Sequence, residues 1–346
     1  MSNYPFRKTR LWSREIVRAI RRDGLGTLQF WLIALIIGIA AGWATLGFRV
    51  AISSLQEWIY GENDAQLASA ASQLPWYWVL MVPVIGGLIV GFILQRYTPD
   101  GRVRAVAHVI EGAALHNGKV EGKAGLASAV ASLITLSSGG STGREGPVVH
   151  LAAVISSKIS RFIKADGVTA RDLLGCAVAS AVAASFNAPI AGTIFAMEVI
   201  LRHYAVHSFG PIVIAAVSGA LISRFRFGDI TEFTLPAHML EFYWELPAFV
   251  LLGLTCGMVA VVMMRAIFWA EDTGDHWQAQ FGIPGWLRPG LAGLALGVLA
   301  IFAPHIIGVG YETTSLALTG QIGFWTAVAF VVVKVAAVAI TMGGRM

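Results

Sequence analysis

The sequence predicts an all-α polytopic membrane protein, and three features of the chain predict it. Of its 346 residues, 56% are hydrophobic and only 13% are charged, whereas soluble domains carry about 25% charged residues. Long apolar segments recur along the whole chain, as expected for several helices that cross a lipid bilayer. The chain also contains 38 glycines, and small residues let helices approach one another closely in lipid.

The N-terminus is strongly basic. Only Glu15 and Asp23 oppose seven basic residues before the first apolar segment, namely Arg7, Lys8, Arg10, Arg14, Arg18, Arg21 and Arg22. Basic residues next to a first membrane segment usually mark the cytoplasmic side of the membrane. The sequence therefore predicts a basic cytoplasmic segment over residues 1–26. It favours this interpretation over an arm that binds nucleic acid, so no nucleic-acid partner is expected.

Ten apolar segments follow, and five of them contain at most 14 residues. At about 1.5 Å per residue, these five are too short to cross upright a hydrocarbon core about 30 Å thick. Short segments interrupted by glycine and proline are typical of transporters with discontinuous helices. The segments are Phe30–Ile52, Trp76–Leu94, Gly125–Leu136, Val148–Ile159, Leu173–Phe186, Ile190–Leu201, Pro211–Ile222, Leu246–Ala270, Leu287–Phe302 and Phe324–Met342.

Two patterns occur twice in the same order, which favours an internal duplication. The pattern Pro83-x3-Gly87-Leu88-x2-Gly91 recurs 206 residues later from Pro289 to Gly297 (289 − 83 = 206). A Gly-x3-Gly pair followed by an arginine, Gly38 to Arg49, is repeated from Gly253 to Arg265. We therefore predict a first membrane repeat over 27–225, a linker over 226–245 and a partial second repeat over 246–346.

The end of the chain resembles the middle of the first repeat. The segment Ile340–Gly344 matches Ile134–Gly140, again at an offset of 206 residues (340 − 134 = 206). If the duplication is complete elsewhere, the second half would need roughly 80 further residues, by extrapolation from the first repeat. The expectation is a truncated gene product, an incomplete gene model or one piece of a split protein.

The most informative segment lies between two of the apolar stretches, from Ser137 to Pro147. Irregular backbone at membrane depth is tolerated only where it is buried in protein or lines a cavity. Pro147 suits the first turn of a helix, and a helix N-terminus offers unpaired amides and partial positive charge to an anion. Because Glu145 lies at the same place, its carboxylate can occupy that site itself. The segment predicts an anion pathway with a competing carboxylate.

Two motifs resemble the chloride channel (CLC) family of anion channels and proton-coupled antiporters, and most resemble its bacterial ClcB-type branch. The first is Gly143–Pro147, read Gly-Arg-Glu-Gly-Pro, and the second runs from Phe186 to Glu198. A shorter match is Ile110–Ala113. The resemblance covers about Thr27 to Met346, and it implies a fold of inverted repeats of short, tilted and broken helices.

The resemblance also implies roles for individual residues. Glu145 would be the gating glutamate, whose protonation lets it leave the pathway and admit chloride. Arg144 would supply fixed positive charge, unless Arg144 and Glu145 form a structural ion pair instead. Glu198 would take part in a proton pathway, or else make a structural hydrogen bond. The anion-binding positions would be Ala105, Gly143, Arg144, Glu145, Gly146 and Pro147.

Several further properties follow from the resemblance alone. They are transport rather than enzymatic catalysis, chloride as the substrate without a cofactor, protons as a second transported species, and a homodimer in the bacterial inner membrane. The expected activity is chloride/proton exchange gated by Glu145. A passive voltage- or pH-gated chloride channel, or an inactive truncated fragment, remains the alternative.

The sequence departs from the family pattern at two positions. Ala105 stands where the family has a serine whose hydroxyl contacts the central chloride, so a donor is lost. Val199 follows Glu198, whereas many proton-coupled members have a second glutamate there. The second chloride-binding loop and the late tyrosine of the family would both lie beyond Met346.

Other combinations of residues suggest less. His203 and His207 are spaced to share a helix face as metal ligands, but interfacial polar residues account for them better. His108 and Glu111 match only half of a di-iron motif. A serine enzyme using Ser137, Ser138 or Ser141 would need a nearby base, and the sequence offers no Gly-x-Ser-x-Gly motif.

Overall fold

The computed structural model describes residues 26–62, 64–228, 243 and 245–346. These residues form helices and turns with no β-strand among them, so the predicted all-α class is confirmed. The basic residues of the N-terminal segment and most of the predicted linker lie outside the described residues. The predicted boundaries at 26, 225 and 245 therefore stay predictions.

Thirteen α-helices lie in the described part of the chain. Two short helical turns of other kinds accompany them, a π-helical turn at Ala196–Leu201 and a 3₁₀ turn at Pro304–Ile306. In chain order the α-helices are α1 Thr27–Tyr60, α2 Leu67–Gln73, α3 Trp76–Tyr97, α4 Val106–Leu115, α5 Gly122–Ser137, α6 Glu145–Ile163, α7 Gly167–Phe186, α8 Pro189–Phe195, α9 Val206–Phe227, α10 Glu245–Phe281, α11 Arg288–Phe302, α12 Tyr311–Leu318 and α13 Phe324–Gly343.

Six of these helices are long and apolar enough to cross a bilayer, namely α1, α3, α7, α9, α10 and α13. Two of them correct the expectation of short segments. Helix α7 has 20 residues and α9 has 22, because both continue through polar residues such as Asp172 and Arg224 that the apolar pattern excludes. Polar side chains at a helix end do not stop the helix when they have partners, and Asp172 accepts a hydrogen bond from Ser208 at 2.8 Å.

The chain divides into two compact units. The first comprises the described residues of Met1–Phe48, Arg104–Leu126 and Glu145–Thr231. The second comprises the described residues of Arg49–Val103, Ala127–Arg144 and Glu232–Met346. Each unit therefore draws on separate stretches of the chain, and the glycine-rich loop ends where the first unit resumes at Glu145.

Helix α7 forms the centre of the first unit, since most of its residues are buried. Small residues let its neighbours approach: a Cβ at Gly38 of α1 would collide with Ser218 of α9, and a Cβ at Gly219 would collide with Ser180 of α7. The hydroxyl of Ser180 donates to the Gly38 carbonyl at 2.6 Å. These contacts are the close helix approach that glycine permits in a membrane.

In the second unit, α3 and α11 pack against each other through glycines, and the contacts are reciprocal. A Cβ at Gly87 would collide with the carbonyl of Pro289, and a Cβ at Gly293 would collide with that of Pro83. The partners are exchanged between positions 206 residues apart (293 − 87 = 206). Reciprocity of this kind defines a twofold relation. It extends to two further contacts, Gly91 with Trp286 and Gly297 with Leu80.

The same relation includes the glycine-rich loop. A Cβ at Gly86 would collide with Ser138 at the start of the loop. The positions 206 residues later are Ala292 and Gly344, and a Cβ at Gly344 would likewise collide with Ala292. The segment Ile340–Gly344 therefore resembles the loop both in sequence and in how it packs against a neighbouring helix. The other repeated glycines differ, because Cβ atoms at Gly253 and Gly257 would meet nothing within 4 Å among the described residues.

We expect the change Gly87→Ala to destabilise the protein, since the new methyl group must displace the backbone of α11. Overpacking of this kind costs about 1–3 kcal/mol. The measurement is the unfolding midpoint of the purified protein in detergent.

The matched control is Gly253→Ala in α10, where the added methyl group meets open space. Alanine is favoured over glycine inside a helix by up to about 1 kcal/mol, so this variant should be as stable as the wild type or more so. Equal destabilisation of both variants would contradict the proposed contact between α3 and α11.

Candidate functional site

The glycine-rich loop between α5 and α6 has an ordered backbone. The amide of Ser138 donates to the carbonyl of Ile134 at 2.8 Å. The amide of Gly140 donates to the carbonyl of Thr135 at 2.7 Å. Gly139 between them adopts φ = +101°, a conformation that glycine reaches without the steric cost of a side chain. The loop therefore turns tightly before the start of α6.

Glu145 is the first residue of α6, and its side chain is partly buried. Pro147 is buried in the first turn, where its missing N–H costs nothing because the first amides of a helix have no intrahelical acceptor. Those free amides and the helix dipole favour negative charge. The position therefore stabilises either the Glu145 carboxylate or an anion that replaces it.

Within the first unit, the start of α6 lies against the start of α4. A Cβ placed on Gly146 would lie 3.6 Å from the Cβ of Ala105, the residue immediately before α4. Gly143, earlier in the loop, is exposed. The predicted anion-binding residues Ala105 and Gly146 are thus neighbours, and two helix N-termini with partial positive charge meet there.

The amide of Ala105 is already engaged. It donates to Nδ1 of His108 at 3.2 Å, so the His108 side chain closes the first turn of α4. The amides of Val106 and Ala107 follow within the same turn, where a helix offers donors without intrahelical acceptors. These two amides, rather than that of Ala105, are the backbone donors that α4 can present to an anion.

Further polar side chains of the first unit surround this place. His150 is buried one turn into α6, and its ring centroid lies 6.4 Å from that of His108. Arg104 is also buried and forms an ion pair with Glu121 at 3.2 Å. The positive charge of Arg104 therefore lies next to the start of α4 with a carboxylate partner.

In the second unit, the buried residue Arg144 contacts the aromatic ring of Tyr311. The guanidinium carbon lies 4.8 Å from the ring centroid, and the guanidinium also donates to the Tyr311 hydroxyl. Earlier in the loop, the amide of Ser141 donates to Oγ1 of Thr341 at 3.1 Å. Residues of α12 and α13 thus hold both ends of the segment from Ser141 to Arg144.

A cluster of charges accompanies Arg144 in the same unit. Asp64, in the link between α1 and α2, accepts a hydrogen bond from Nε2 of Gln56 at 2.9 Å. Burial raises the pKa of the Asp64 carboxyl, while the Gln56 hydrogen bond and the positive charges of Arg144, Lys334 and Arg49 oppose that rise. Asp64 therefore interacts with three cations of the second unit, one of which is Arg144.

The second motif begins at the end of α7, where the structure explains its small and polar residues. Asn187 adopts the left-handed conformation that ends α7, with φ = +54°. Its side chain accepts a hydrogen bond from Nε of Arg224 at 2.7 Å. In α8, a Cβ at Gly192 would press on the backbone of α7 at Ala179 and Ala183. These positions serve packing and helix termination.

Glu198 lies in the π-helical turn that follows α8, and its side chain is exposed. π-Helical turns often occur at functional sites. The Glu198 carboxylate interacts electrostatically with Tyr204, which the sequence did not indicate. Glu198 thus lies at the surface of the first unit near a phenol group.

Helix α4 connects the two motifs within the first unit, because it packs against both α6 and the π-helical turn. Buried residues of the three elements share one hydrophobic cluster, which includes Val109 of α4, Val149 of α6 and Met197 of the turn. The elements that carry Glu145 and Glu198 therefore share a packed core.

The structure assigns side-chain partners to some residues of the competing interpretations. The hydroxyls of Ser137 and Ser138 donate to the carbonyls of Ile52 and Thr135. The buried hydroxyl of Ser141 has no hydrogen-bond partner among the described residues. His207 lies 3.5 Å from the Asp172 carboxylate, and the described residues contain no cluster of three potential metal ligands.

Sequence reasoning missed several of the polar residues around the loop, above all Gln56, Asp64 and Tyr311. Tyr311 is 167 residues from Arg144, so no local pattern relates them. A weak signal was available in Gly308–Glu312, a segment with two glycines and an acid between two apolar segments. Glycines in such a place indicate a backbone that approaches another element.

A family model described as "Voltage gated chloride channel" matches residues 86–346. The chain belongs to this family. The match covers both motifs and the helices from α4 to α13, and it confirms the resemblance drawn from Gly143–Pro147 and Phe186–Glu198.

Two curated relatives have similar sequences. The "Putative chloride channel protein ClcB-like" of Ralstonia nicotianae is 33% identical over 319 residues, which is 90% of this chain and 72% of the relative. The "Voltage-gated ClC-type chloride channel ClcB" of Escherichia coli O81 is 32% identical over 304 residues, which is 83% of this chain and 68% of the relative.

Two solved structures have the same fold. A slow cyanobacterial Cl⁻/H⁺ antiporter superposes with a TM-score of 0.75 at 19% identity, covering 91% of this chain and 74% of the antiporter. A CLC-type fluoride/proton antiporter superposes with a TM-score of 0.72 at 21% identity, covering 92% of this chain and 77% of that protein. The chain is therefore a membrane protein with the family's helical fold.

The position of Asp64 outside the membrane-spanning helices leads to a pH-dependent prediction. Because the pKa of Asp64 is raised on folding, the folded protein binds this proton more tightly than the unfolded chain does. The stability from this group is present below the unfolded pKa of about 3.9 and is lost as the pH rises through the folded value. Relative to Asp64→Asn, the wild type should become less stable as the pH rises from about 4, measured as the unfolding midpoint in detergent.

Asp166 supplies a control, because the shift of its pKa is opposite in direction to that of Asp64. It caps the start of α7, and a hydrogen bond from the Thr169 side chain lowers the pKa of its carboxyl. Relative to Asp166→Asn, the wild type should gain stability as the pH rises through the Asp166 pKa. Parallel pH profiles for the two pairs of proteins would contradict the assigned environment of Asp64.

Proposed function

We propose that the protein transports an anion, with chloride as the principal substrate, through a pathway that Glu145 gates. The observation that supports this proposal is the place of Glu145 as the first residue of α6, beside Gly146 and the start of α4. Two helix N-termini there attract negative charge. A carboxylate held at an anion site competes with the transported anion, because like charges repel strongly where the dielectric is low.

Protonation of Glu145 provides the switch. The neutral acid no longer competes for the helix amides, so an anion can take its place. When the anion leaves, the acid can lose its proton and return. If the proton is released to one side and taken up from the other, each cycle couples anion movement to proton movement in the opposite direction. We therefore infer chloride/proton exchange.

Glu198 and Tyr204 supply the second half of the proton route in this proposal. Glu198 is exposed, interacts with Tyr204, and lies in a turn that packs on α4. Intramembrane or juxtamembrane acids commonly belong to proton or ion pathways. The proposed roles are Glu145 as the gate, Glu198 as the inner proton site, and Ala105, Gly143, Arg144, Gly146 and Pro147 as the anion surroundings.

The names of the relatives favour anion transport and also suggest an alternative substrate. The structural relatives include a Cl⁻/H⁺ antiporter and a fluoride/proton antiporter, and the curated relatives are chloride channel proteins by name. Chloride is the better inference from the sequence relatives. Because Val199 replaces the additional glutamate of many coupled members, a passive chloride channel is the second candidate.

The remaining properties of the proposal rest on the resemblance to the family. We infer a location in the bacterial inner membrane with a cytoplasmic N-terminus, a homodimeric assembly, transport without a cofactor and no enzymatic activity. The partners are the lipid bilayer, chloride and protons.

The decisive experiment is chloride efflux from liposomes that contain the 346-residue chain, with the external pH recorded. The wild type should release chloride and move protons in the opposite direction. Glu145→Gln mimics the protonated acid. The chloride flux through this variant should persist, but it should no longer be coupled to proton movement or depend on pH. Chloride flux without proton movement in the wild type would support the passive channel.

Glu111→Gln is the matched control, since Glu111 is an exposed acid of α4 that pairs with His116. This variant should retain both fluxes. If Glu145→Gln behaves like the control, the gating role of Glu145 is wrong. Absence of any chloride flux from the wild type would overturn the proposed transport activity of this chain.

Ala105→Ser should strengthen chloride binding, because the new hydroxyl would lie next to Gly146 at the meeting point of α4 and α6. A hydrogen bond to a charged group contributes about 1.5–3 kcal/mol, which corresponds to roughly tenfold or more in affinity. The affinity is measured by calorimetric titration of the purified protein with chloride.

Ala114→Ser is the comparison variant, since Ala114 is exposed near the opposite end of α4. It should leave the chloride affinity unchanged. Equal affinities for Ala105→Ser and the wild type would place the anion away from Ala105.

A further inference from the structure

A second candidate ligand site lies in the second unit, apart from the glycine-rich loop. It is a cavity of about 400 Å³ between α10, the 3₁₀ turn, α12 and α13. Ligand pockets span roughly 300–1,000 Å³ and are mostly apolar with a few polar groups. This cavity has that character, because aliphatic and aromatic side chains such as Met263, Phe330 and Val331 dominate its walls.

One cation lies in this apolar wall. Lys334 is the single ionisable residue of α13. The other residues of this helix are almost all apolar. Its Nζ donates to the carbonyls of Ile306 and Gly308, at 3.0 and 2.8 Å. Both partners are uncharged carbonyls that orient the ammonium, and the carboxyl of Asp64 also attracts it. Intramembrane charged residues are expensive and commonly functional.

Two further polar groups lie near Lys334 along the cavity wall. Oγ1 of Thr313 lies 3.3 Å from Nδ1 of His305, and the His305 ring packs against Phe330 with centroids 4.5 Å apart. The other lining threonine, Thr314, donates to the Gly310 carbonyl at 2.9 Å. The cavity thus has one polar end around Lys334 and His305, while the rest of its wall is apolar.

The arrangement selects among ligand classes by charge and size. A cation would be repelled by Lys334, and a small inorganic anion would gain nothing from the apolar walls. A lipid with two acyl chains is too large for a cavity near the lower end of the usual range of volumes. A single short apolar chain with a compact anionic head group matches both the charge and the volume.

We propose that this cavity binds a monoanionic amphiphile, a medium-chain carboxylate, with its head group at Lys334 and its chain along Met263, Phe330 and Val331. The carboxylate accepts a charge-assisted hydrogen bond from the Lys334 ammonium, which is stronger than a neutral one. Burial of the chain against the apolar wall supplies the remaining affinity.

The test is a calorimetric titration of the full chain in lipid nanodiscs, with empty nanodiscs as the partition reference. Decanoate should bind saturably, and decanol, which has the same chain without the charge, should bind more weakly. Lys334→Met should weaken decanoate binding roughly tenfold or more, the effect of losing a hydrogen bond to a charged group. Its decanol affinity should stay unchanged, which shows that the cavity is still formed.

Arg265→Met is the matched control, since Arg265 is an exposed cation on α10 outside the cavity. It removes the same charge and should leave the decanoate affinity as in the wild type. If Lys334→Met and Arg265→Met lose decanoate affinity equally, the effect comes from net charge alone and the proposal is wrong. Decanoate uptake no greater than that of empty nanodiscs would also overturn the proposal. Neither readout depends on transport, so failure here leaves the proposed function untouched.

Discussion

The structure depends on satisfying the polar backbone of the glycine-rich loop in apolar surroundings. Unpaired peptide groups cost several kcal/mol each in hydrocarbon, so the loop exists only because other elements supply partners. Tyr60 donates to the Ser138 carbonyl at 3.1 Å, and Gln56 donates to the Leu136 carbonyl at 3.3 Å. With the bond from Ser141 to α13, side chains of two distant helices hold this segment in the second unit.

The Gln56 side chain also connects the loop to charged residues. The Gln56 amide group that binds the Leu136 carbonyl also binds Asp64, and Asp64 interacts with Arg144. Arg144 is further fixed by the Tyr311 ring. Because Arg144 is the last residue of the loop before α6, these contacts fix the end of the loop within the second unit.

The sequence predicts the helical class and the repeat well because both depend on local or periodic signals. The pattern from Pro83 to Gly91 and its copy predict two equivalent helices, and the structure shows their glycines in reciprocal contact. The hydropathy pattern predicts α7 and α9 to be shorter than they are, because it excludes the polar residues near their ends. The sequence does not predict the roles of Asp64 and Tyr311, for another reason. Their contacts with Arg144 form only when the chain folds, and no periodic pattern in the sequence indicates them.

The second unit joins the loop and the apolar cavity through one acid. Asp64 attracts both Arg144 and Lys334, which reaches the cavity wall. A carboxylate bound at Lys334 would place a second negative charge near that of Asp64, and Coulomb interactions between charges add in pairs. It would therefore offset part of the positive charge of Lys334 that acts on Asp64, whereas Arg144 keeps its contact with the Tyr311 ring.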